Sequence, residues 1–543
     1  MKSISQRVAE NWKSGLTVSL VSIPLSVSLA VASQTSPVVG IITAIWAGFI
    51  ASLFGGSNFN IIGPTGALSG LLAAYAIAHG MESLAMLAIA TGVVTLLAYA
   101  FRLERFLVFI PASTIHGFTL GVALIIGLTQ LNYAIGLSGL PVHQRLVENI
   151  LESLNHLSQA SWTTFTVFIL FTIGMFACAK LTPKIPGAIL LAPLGILLGY
   201  LGSNDIIHLP LQTLGMKFSN LNGQLFQAPH FFFNYSLVVT SLTVALVAIL
   251  ETMLSAKIAD GMTRTKHNKR KEMLGLGLAN IASGLMGGIP ATAALARTSL
   301  NIKTGANDKL SATVNSIAVA VISLVLLSYF KYIPMAVIAA ILVFVAVRMV
   351  EVHHFARFYR YDKKSFVVAL IVAFVTFYQD PIIGILLGTT ISLLIFVEKL
   401  SRGQFDLTAN KQEEGIIEHV SGEKITRAFT KSPDTLLYSI KGQLAYINSQ
   451  AHITRFERDL SDYKNVILRL KELHFIDLDG VDALDEIIDI IHSQGKTVLL
   501  TGVNPYIATS LHNECHNYKK LEQDGLVFGK ISDAFRHLGY GVK

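Results

Sequence analysis

Two ionisable residues stand out by position. Glu251 lies inside the apolar run 237–254, and Arg297 lies inside a short apolar segment that follows a glycine pair and a proline. A charged side chain at membrane depth is costly, so it usually faces the interior of a helix bundle and serves ion or substrate passage. Arg297 offers a fixed positive charge to an anion. Glu251 offers a carboxylate that accepts a proton or ligates a cation coupled to that anion. Ser255, one helical turn beyond Glu251, is expected on the same face. The same pair also admits a second arrangement, a structural salt bridge without ligand contact, in which desolvation can exceed the Coulomb gain.

The arginine closes the stretch GGIPATAALART at 287–298, and a related design, NFNIIGPTGALS, occupies 58–69. In each, an extended apolar stretch meets Gly or Pro and a helix then begins among small residues. The N–H groups at a helix start lack partners and carry the positive end of the dipole, which suits an anion. Brought together, the two starts form a small polar pocket lined by Thr65, Gly66, Ala67, Ala294, Leu295 and Ala296, whose small side chains let a ligand reach the backbone. Irregular backbone at membrane depth requires protein or a water-filled cavity around it.

The elements that hold these residues follow from hydropathy. Of 543 residues, 52% are hydrophobic and 14% charged, against about a quarter charged in soluble proteins. Segments of roughly 20 apolar residues cross a bilayer. Candidate spans fall at about 14–33, 37–54, 65–79, 83–100, 106–131, 162–182, 187–202, 235–256, 273–287, 292–302, 310–329, 333–350, 365–379 and 382–399. With the N-terminus inside, the inside loops collect Arg102, Arg105, Lys180, Lys184, Lys257, the run from Arg264 to Lys271, Lys303, Lys309, Arg357, Arg360, Lys363, Lys364, Lys399 and Arg402. Outside loops offer little beyond Arg145, Lys217 and Lys331. This bias places both termini in the cytoplasm. The interrupted segments are the third and tenth spans, so they correspond in two halves of about seven each. An odd number inverts the halves, and paired broken helices mark a transporter's central site.

The formal charge of +8 is assigned to cytoplasmic loops, because basic runs interleaved with aromatics, as nucleic acid requires, are missing. The N-terminus has no signal-peptide pattern. Cys178 and Cys515 support neither a disulfide framework nor a cysteine metal site. His116 is a weaker proton-relay candidate, with a packing role as the blander reading, and Asp260 reads as a cap. The basic run at 263–271 reads as a positive-inside loop, or as a holder of anionic lipid headgroups. Charges become frequent after residue 400, which divides the chain into a membrane domain at 1–400, a linker at 401–431 and a tail at 432–543. In the tail, strands fit 435–440, 466–470 and 497–500, and helices fit 451–463, 481–493 and 504–515, a small α/β domain without a nucleophile motif or phosphate loop.

In order along the chain, PLSVSLAVAS at 24–33, GPTGALS at 63–69, ADGMTRTKHNKRKEMLGLGLANI at 259–281 and GGIPATAALARTSLNIKTGA at 287–306, followed by the α/β tail, resemble the SulP anion transporters, the solute carrier 26 family. The resemblance covers nearly the whole chain. It implies a polytopic α-helical fold of about 14 transmembrane segments in a seven-plus-seven inverted repeat with core and gate domains, elevator-like movement, a cytoplasmic STAS domain and a homodimer. It places the anion at Thr65–Ala67 and Ala294–Arg297, with contributions from Leu25 and Ser26, and gives Glu251 and Ser255 to the coupling ion. The chain departs from similar sodium-coupled bicarbonate carriers, which have aspartate at the position of Glu251 and lack Arg297. The resemblance therefore favours proton coupling over sodium. Where phosphorylatable STAS domains carry a hydroxyl, this chain reads Asp477-Leu478-Asp479-Gly480, which argues against a phospho-switch. The expected function is secondary transport of a small anion across a bacterial plasma membrane. It needs no enzyme chemistry, no cofactor and no resident metal. The alternatives are sodium-coupled bicarbonate symport, an uncoupled channel or exchanger, and a membrane anchor for a signalling tail.

Overall fold

The computed structural model describes residues 4–141, 143, 146–182, 186–218, 226–379, 381–401, 404–409, 435–458 and 463–539. Arg145, Lys184 and Arg402 of the loop-charge pattern, and the expected linker from 410 onward, lie outside these residues. The chain divides into two units, 1–392 and 393–543.

Fourteen helices match the fourteen apolar runs. They are α1 (Ile4–Ala32), α2 (Pro37–Phe54), α3 (Gly66–His79), α4 (Ser83–Ala100), α5 (Ala112–Leu128), α6 (Trp162–Leu181), α7 (Gly187–Ser203), α8 (Tyr235–Thr263), α9 (Lys269–Leu285), α10 (Leu295–Lys303), α11 (Leu310–Phe330), α12 (Met335–Met349), α13 (Lys363–Tyr378) and α14 (Pro381–Ser401). Among the described residues, nine helical segments are long and apolar enough to cross a membrane unaided. The shorter members, α3 and α10 above all, are those whose preceding stretch is extended. Boundaries follow local chemistry. Asn234, Asn268, Ser161 and Asp362 accept backbone N–H bonds at the starts of α8, α9, α6 and α13. The expected span at 106–131 begins late, at Ala112, because Pro111 ends a short 3₁₀ run at Leu103–Phe109.

Packing sorts most of these helices into two groups. In the first, α9 lies against α2 and α4, α1 against α2 and α11, and α8 against α3, α4 and α10. In the second, α5 packs on α12 and α13, and α6 on α7 and α12, while the glycines of α14 press on Val372 and Thr376 of α13. Contacts of α3 with α5, and of α1 with α7 and α12, join the groups. Two-residue strands, β1 (Ile62–Gly63) and β2 (Thr292–Ala293), precede α3 and α10 and pair antiparallel, Ile62 opposite Ala293 and Gly63 opposite Thr292. The two halves of the repeat meet there in opposite directions.

The second unit carries β3 (Gln404–Ala409), β4 (Thr435–Leu444), β5 (Asn465–Arg469), β6 (Leu473–Ile476), β7 (Thr497–Thr501) and β8 (Val527–Phe528). The order is β3-β4-β5-β7-β8, with β6 also on β4, antiparallel at β3 and parallel elsewhere. Helices α15 (Tyr446–Arg458), α16 (Leu478–Ser493), α17 (Pro505–Glu514), α18 (His516–Gln523) and α19 (Ile531–His537) complete it. Tyr438, Leu468, Ile487 and Leu500 form the centre of its larger core. One expectation changes. The stretch read as the start of a linker is β3, whose alternation of Phe405, Leu407 and Ala409 is a strand pattern too short to stand out beside the polar residues that follow. Asp477 accepts the Gly480 N–H at 2.8 Å as the cap of α16, a structural use of the turn at 477–480.

His452 is fully buried in this unit and bonds the Tyr438 hydroxyl through Nδ1 at 2.7 Å. Burial, aided by nearby Arg455, lowers its pKa from 6.5 to about 4. An unfolded chain therefore binds a proton between these values and the folded one does not. The stabilisation is complete above about pH 6.5 and declines as pH falls towards 4, by about 3 kcal/mol in all. Amide protection in β4 and α15, corrected for the intrinsic pH dependence of exchange, is expected to fall between pH 7 and 5, and His452→Gln is expected to flatten that dependence. Equal pH slopes in the two proteins would contradict it. The Cys515 thiol donates to Asp485 Oδ1 at 3.0 Å, and burial with that carboxylate pushes its pKa up to about 12, so it is no nucleophile.

Candidate functional site

The site is built where the two extended arms cross. Backbone that leaves a helix inside a membrane needs new partners, and here neighbouring helices supply them. On the β2 arm, Asn280 of α9 accepts from Ala291 N at 2.8 Å and donates to Ala291 O at 2.9 Å. Thr43 of α2 accepts from Ile289 N at 2.8 Å, and Ser283 donates to Ile289 O at 2.8 Å. Gly287 takes φ +83°, and a Cβ there would stand 2.3 Å from the Gln227 carbonyl, so the glycine answers both backbone and space. On the β1 arm, Glu272 of α9 accepts from Gly56 N, Ser57 N and Asn60 Nδ2, each at 2.6 Å, and Thr298 Oγ1 accepts from Ile61 N at 3.1 Å. Ala294 N donates to Ile61 O at 3.0 Å, tying arm to arm.

Neither helix that leaves this crossing has a side-chain cap at its start, a feature they share with α2, α4, α5, α7, α11 and α12. Thr65 and Ala294 occupy the cap positions of α3 and α10 without accepting a backbone N–H. Thr65 has the right group for capping, yet its hydroxyl donates to Glu251 Oε2 at 2.9 Å. First-turn N–H groups of both helices are thus left for another acceptor. Ala296 is exposed and Ala294 and Leu295 are half-buried, so the α10 start is the open one; Thr65, Gly66 and Ala67 are buried. A Cβ on Gly66 would meet Ile126 of α5 at 2.4 Å and Met349 of α12 at 3.3 Å, which makes those two side chains the cover over the α3 start.

Arg297 is 1% exposed. From the first turn of α10 it reaches across to the other arm, where Nη2 donates to the Pro64 carbonyl, and its Nε and Nη1 have no hydrogen-bond partner among the described residues. Glu251 is half-buried, and among the described residues Thr65 is its one hydrogen-bonded partner. Among the described residues the two charges make no ion pair within 4.0 Å, so the structural salt bridge is not formed. The guanidinium braces the crossing through a carbonyl and keeps two donors free. Gly63 permits this, because a Cβ there would lie 2.9 Å from Nη1.

Other sequence-marked residues are placed as follows. Ser255 is buried, with its hydroxyl 3.0 Å from Asn60 Oδ1 and 3.1 Å from Thr298 Oγ1, so it belongs to the network behind β1. On α1, which packs on α3 and α10, Leu25 is 9% exposed and Ser26 is fully buried with an unpartnered hydroxyl. Asp260 accepts from His267 N at 3.0 Å and holds the turn after α8. The sequence reading missed Asn60, Thr252, Thr292, Thr298, Asn280 and Glu272. Thr252 and Thr292 share a hydroxyl bond at 2.8 Å, and Thr292 donates to Ala248 O at 2.9 Å. For the uncharged ones the signal was a polar residue inside an apolar run, which is common and shows its partner only after folding, and Glu272 was obscured by the basic residues around it.

Two interrupted helices crossing inside an inverted repeat of fourteen define a membrane transporter rather than an enzyme or a soluble binding module. The chain belongs to the sulfate permease family, whose model matches residues 9–372, and a STAS domain is matched at 427–519. It is 30% identical to the putative sulfate transporter YvdB of Bacillus subtilis, over 93% of this chain and 94% of that one. It is 25% identical to the bicarbonate transporter BicA of Picosynechococcus, over 90% and 87%. The fold is that of the murine Solute Carrier 26 family member A9 anion transporter solved in the inward-facing state, with a TM-score of 0.80 at 16% identity over 99% of this chain and 92% of that one.

Proposed function

We propose that the chain is a secondary active transporter of a small anion of the bicarbonate, sulfate or C4-dicarboxylate class, coupled to protons. The observation that carries this reading is the pair of uncapped helix starts joined through β1 and β2, with the buried Arg297 spanning them. Thr65–Ala67 and Ala294–Arg297 hold the anion, and Leu25 and Ser26 close the pocket from α1. Glu251 takes the coupling proton, and Ser255 stiffens the wall behind it. Both uncapped starts belong to the first packing group, and Ile126 and Met349 of the second cover one of them. Elevator-like sliding of the first group past the second uncovers the site to each side in turn. The membrane domain spans 1–400 and the STAS domain 432–543. Both termini lie in the cytoplasm of a bacterial cell, basic loops meet lipid headgroups, and two copies form a homodimer.

The test is uptake of labelled bicarbonate, sulfate and C4-dicarboxylates into proteoliposomes under imposed proton and sodium gradients. Saturable uptake of one anion driven by protons is the expected result. Sodium-driven uptake would replace the coupling ion, and channel-like conductance without saturation would sink the carrier reading. Gly63→Ala gives a finer check. Its Cβ must displace the free end of Arg297, which is flexible, so the protein folds while KM for the anion rises between about 10- and 100-fold. An unchanged KM would mean that the position of the guanidinium is unimportant.

A further inference from the structure

A second cluster of chemically able side chains lies away from the crossing. His116, in the first turns of α5, places Nδ1 3.0 Å from Glu351 Oε2, and His354 Nε2 lies 3.8 Å from the same oxygen. One ligand atom from each of the three residues falls within 4.8 Å of the others. The two imidazoles stack at 4.1 Å between centroids, so both rings present nitrogen towards one carboxylate. Glu351 stands at the cap position of the helix Val352–Tyr361 yet accepts no backbone N–H there, having turned its side chain to His116. The ligands come from the start of α5, the turn after α12 and the first turn of the helix Val352–Tyr361, which packs on α5 and α13 of the second group.

We propose that His116, Glu351 and His354 form a binding site for a divalent transition-metal ion of the zinc class. Two imidazole nitrogens and one carboxylate oxygen are a donor set that suits Zn²⁺, with a fourth position left to water. Metal–ligand bonds of about 2.0–2.1 Å in a tetrahedron put ligand atoms about 3.3 Å apart. The separations of 3.0 and 3.8 Å bracket that value and the third pair lies within 4.8 Å, so binding asks for shifts of about an ångström that side-chain rotation can supply. His116 is nearly buried, while Glu351 and His354 are half-buried, which leaves a path for the ion. Bound metal staples the start of α5 to the end of α12. These helices also carry Ile126 and Met349, which cover the α3 start, so the ion fixes the wall against which the anion site moves.

The experiment uses the full chain purified in detergent, stripped with chelator and titrated with Zn²⁺. Bound metal is counted after desalting, and unfolding midpoints are recorded with and without Zn²⁺. One tightly held equivalent and a raised midpoint are expected for the natural chain. His116→Ala and His354→Gln should each lose that equivalent, with affinity falling by more than about 100-fold, since loss of an outer partner alone costs 10- to 100-fold. His512→Ala, at an exposed histidine–glutamate pair in the second unit, should keep it. The half-buried His354 tolerates glutamine, so that variant reports even if His116→Ala fails to fold. No retained equivalent in the natural chain, or equal zinc in natural and His354→Gln proteins, overturns the site.

Discussion

Arg297→Gln is expected to cut anion uptake at low substrate by at least about 30-fold while the protein still folds. A buried, hydrogen-bonded charge that meets a ligand contributes roughly 2–5 kcal/mol when its partner is present, and each 1.4 kcal/mol is tenfold in affinity. Glutamine keeps an amide donor for the Pro64 carbonyl that Arg297 now bonds, so part of the brace survives. What it loses is the full charge and the two donor nitrogens that lack partners among the described residues. The helix starts alone supply partial charges of about half a unit each, which weaken quickly with distance. Uptake kinetics and an unfolding curve of the same preparation separate the two roles. Near-natural KM with a lowered unfolding midpoint would make Arg297 a brace only.

Glu251→Gln is expected to remove the response to a pH gradient and to leave anion exchange in place. The side chain accepts from the Thr65 hydroxyl, and glutamine retains an oxygen for that bond, so the geometry of the α3 start is kept. A carboxylate near an incoming anion raises its energy. Two like charges about 8 Å apart repel by about 2 kcal/mol at an effective dielectric of about 20, and a proton on Glu251 cancels this. For symport of one proton with one monoanion, each pH unit of inward gradient raises accumulation roughly tenfold. In the glutamine protein that factor should fall to one. Accumulation against a concentration gradient by this variant, driven by pH, would remove Glu251 from the coupling.

The spans were legible because a bilayer imposes a length and a composition that each segment must satisfy alone. Fourteen apolar runs became fourteen helices, most with ends moved by a few residues, the largest shift being the start of α1, at Ile4 instead of 14. The interrupted third and tenth spans were legible for a related reason, since Gly and Pro act on their own backbone. In the second unit the central strands and helices followed from period, whereas β3 escaped because its partner β4 is distant in sequence and a six-residue strand has little pattern of its own.

Sequence alone therefore determined which segments are apolar, where two of them break, and that an arginine and a glutamate sit within them. Only the tertiary structure decided what those residues touch. It turned Thr65 from a cap into a donor to Glu251, sent Arg297 to the Pro64 carbonyl instead of into a salt bridge, and drew Ser255 into the network behind β1. It also brought His116 beside Glu351 and His354. Helix formation and membrane partition are local, each residue contributing through its own backbone and hydropathy. Partner choice among buried polar groups is not local, because Ile61 N, Ile289 N and Ala291 N in the crossing are each met by a side chain from another element of the chain.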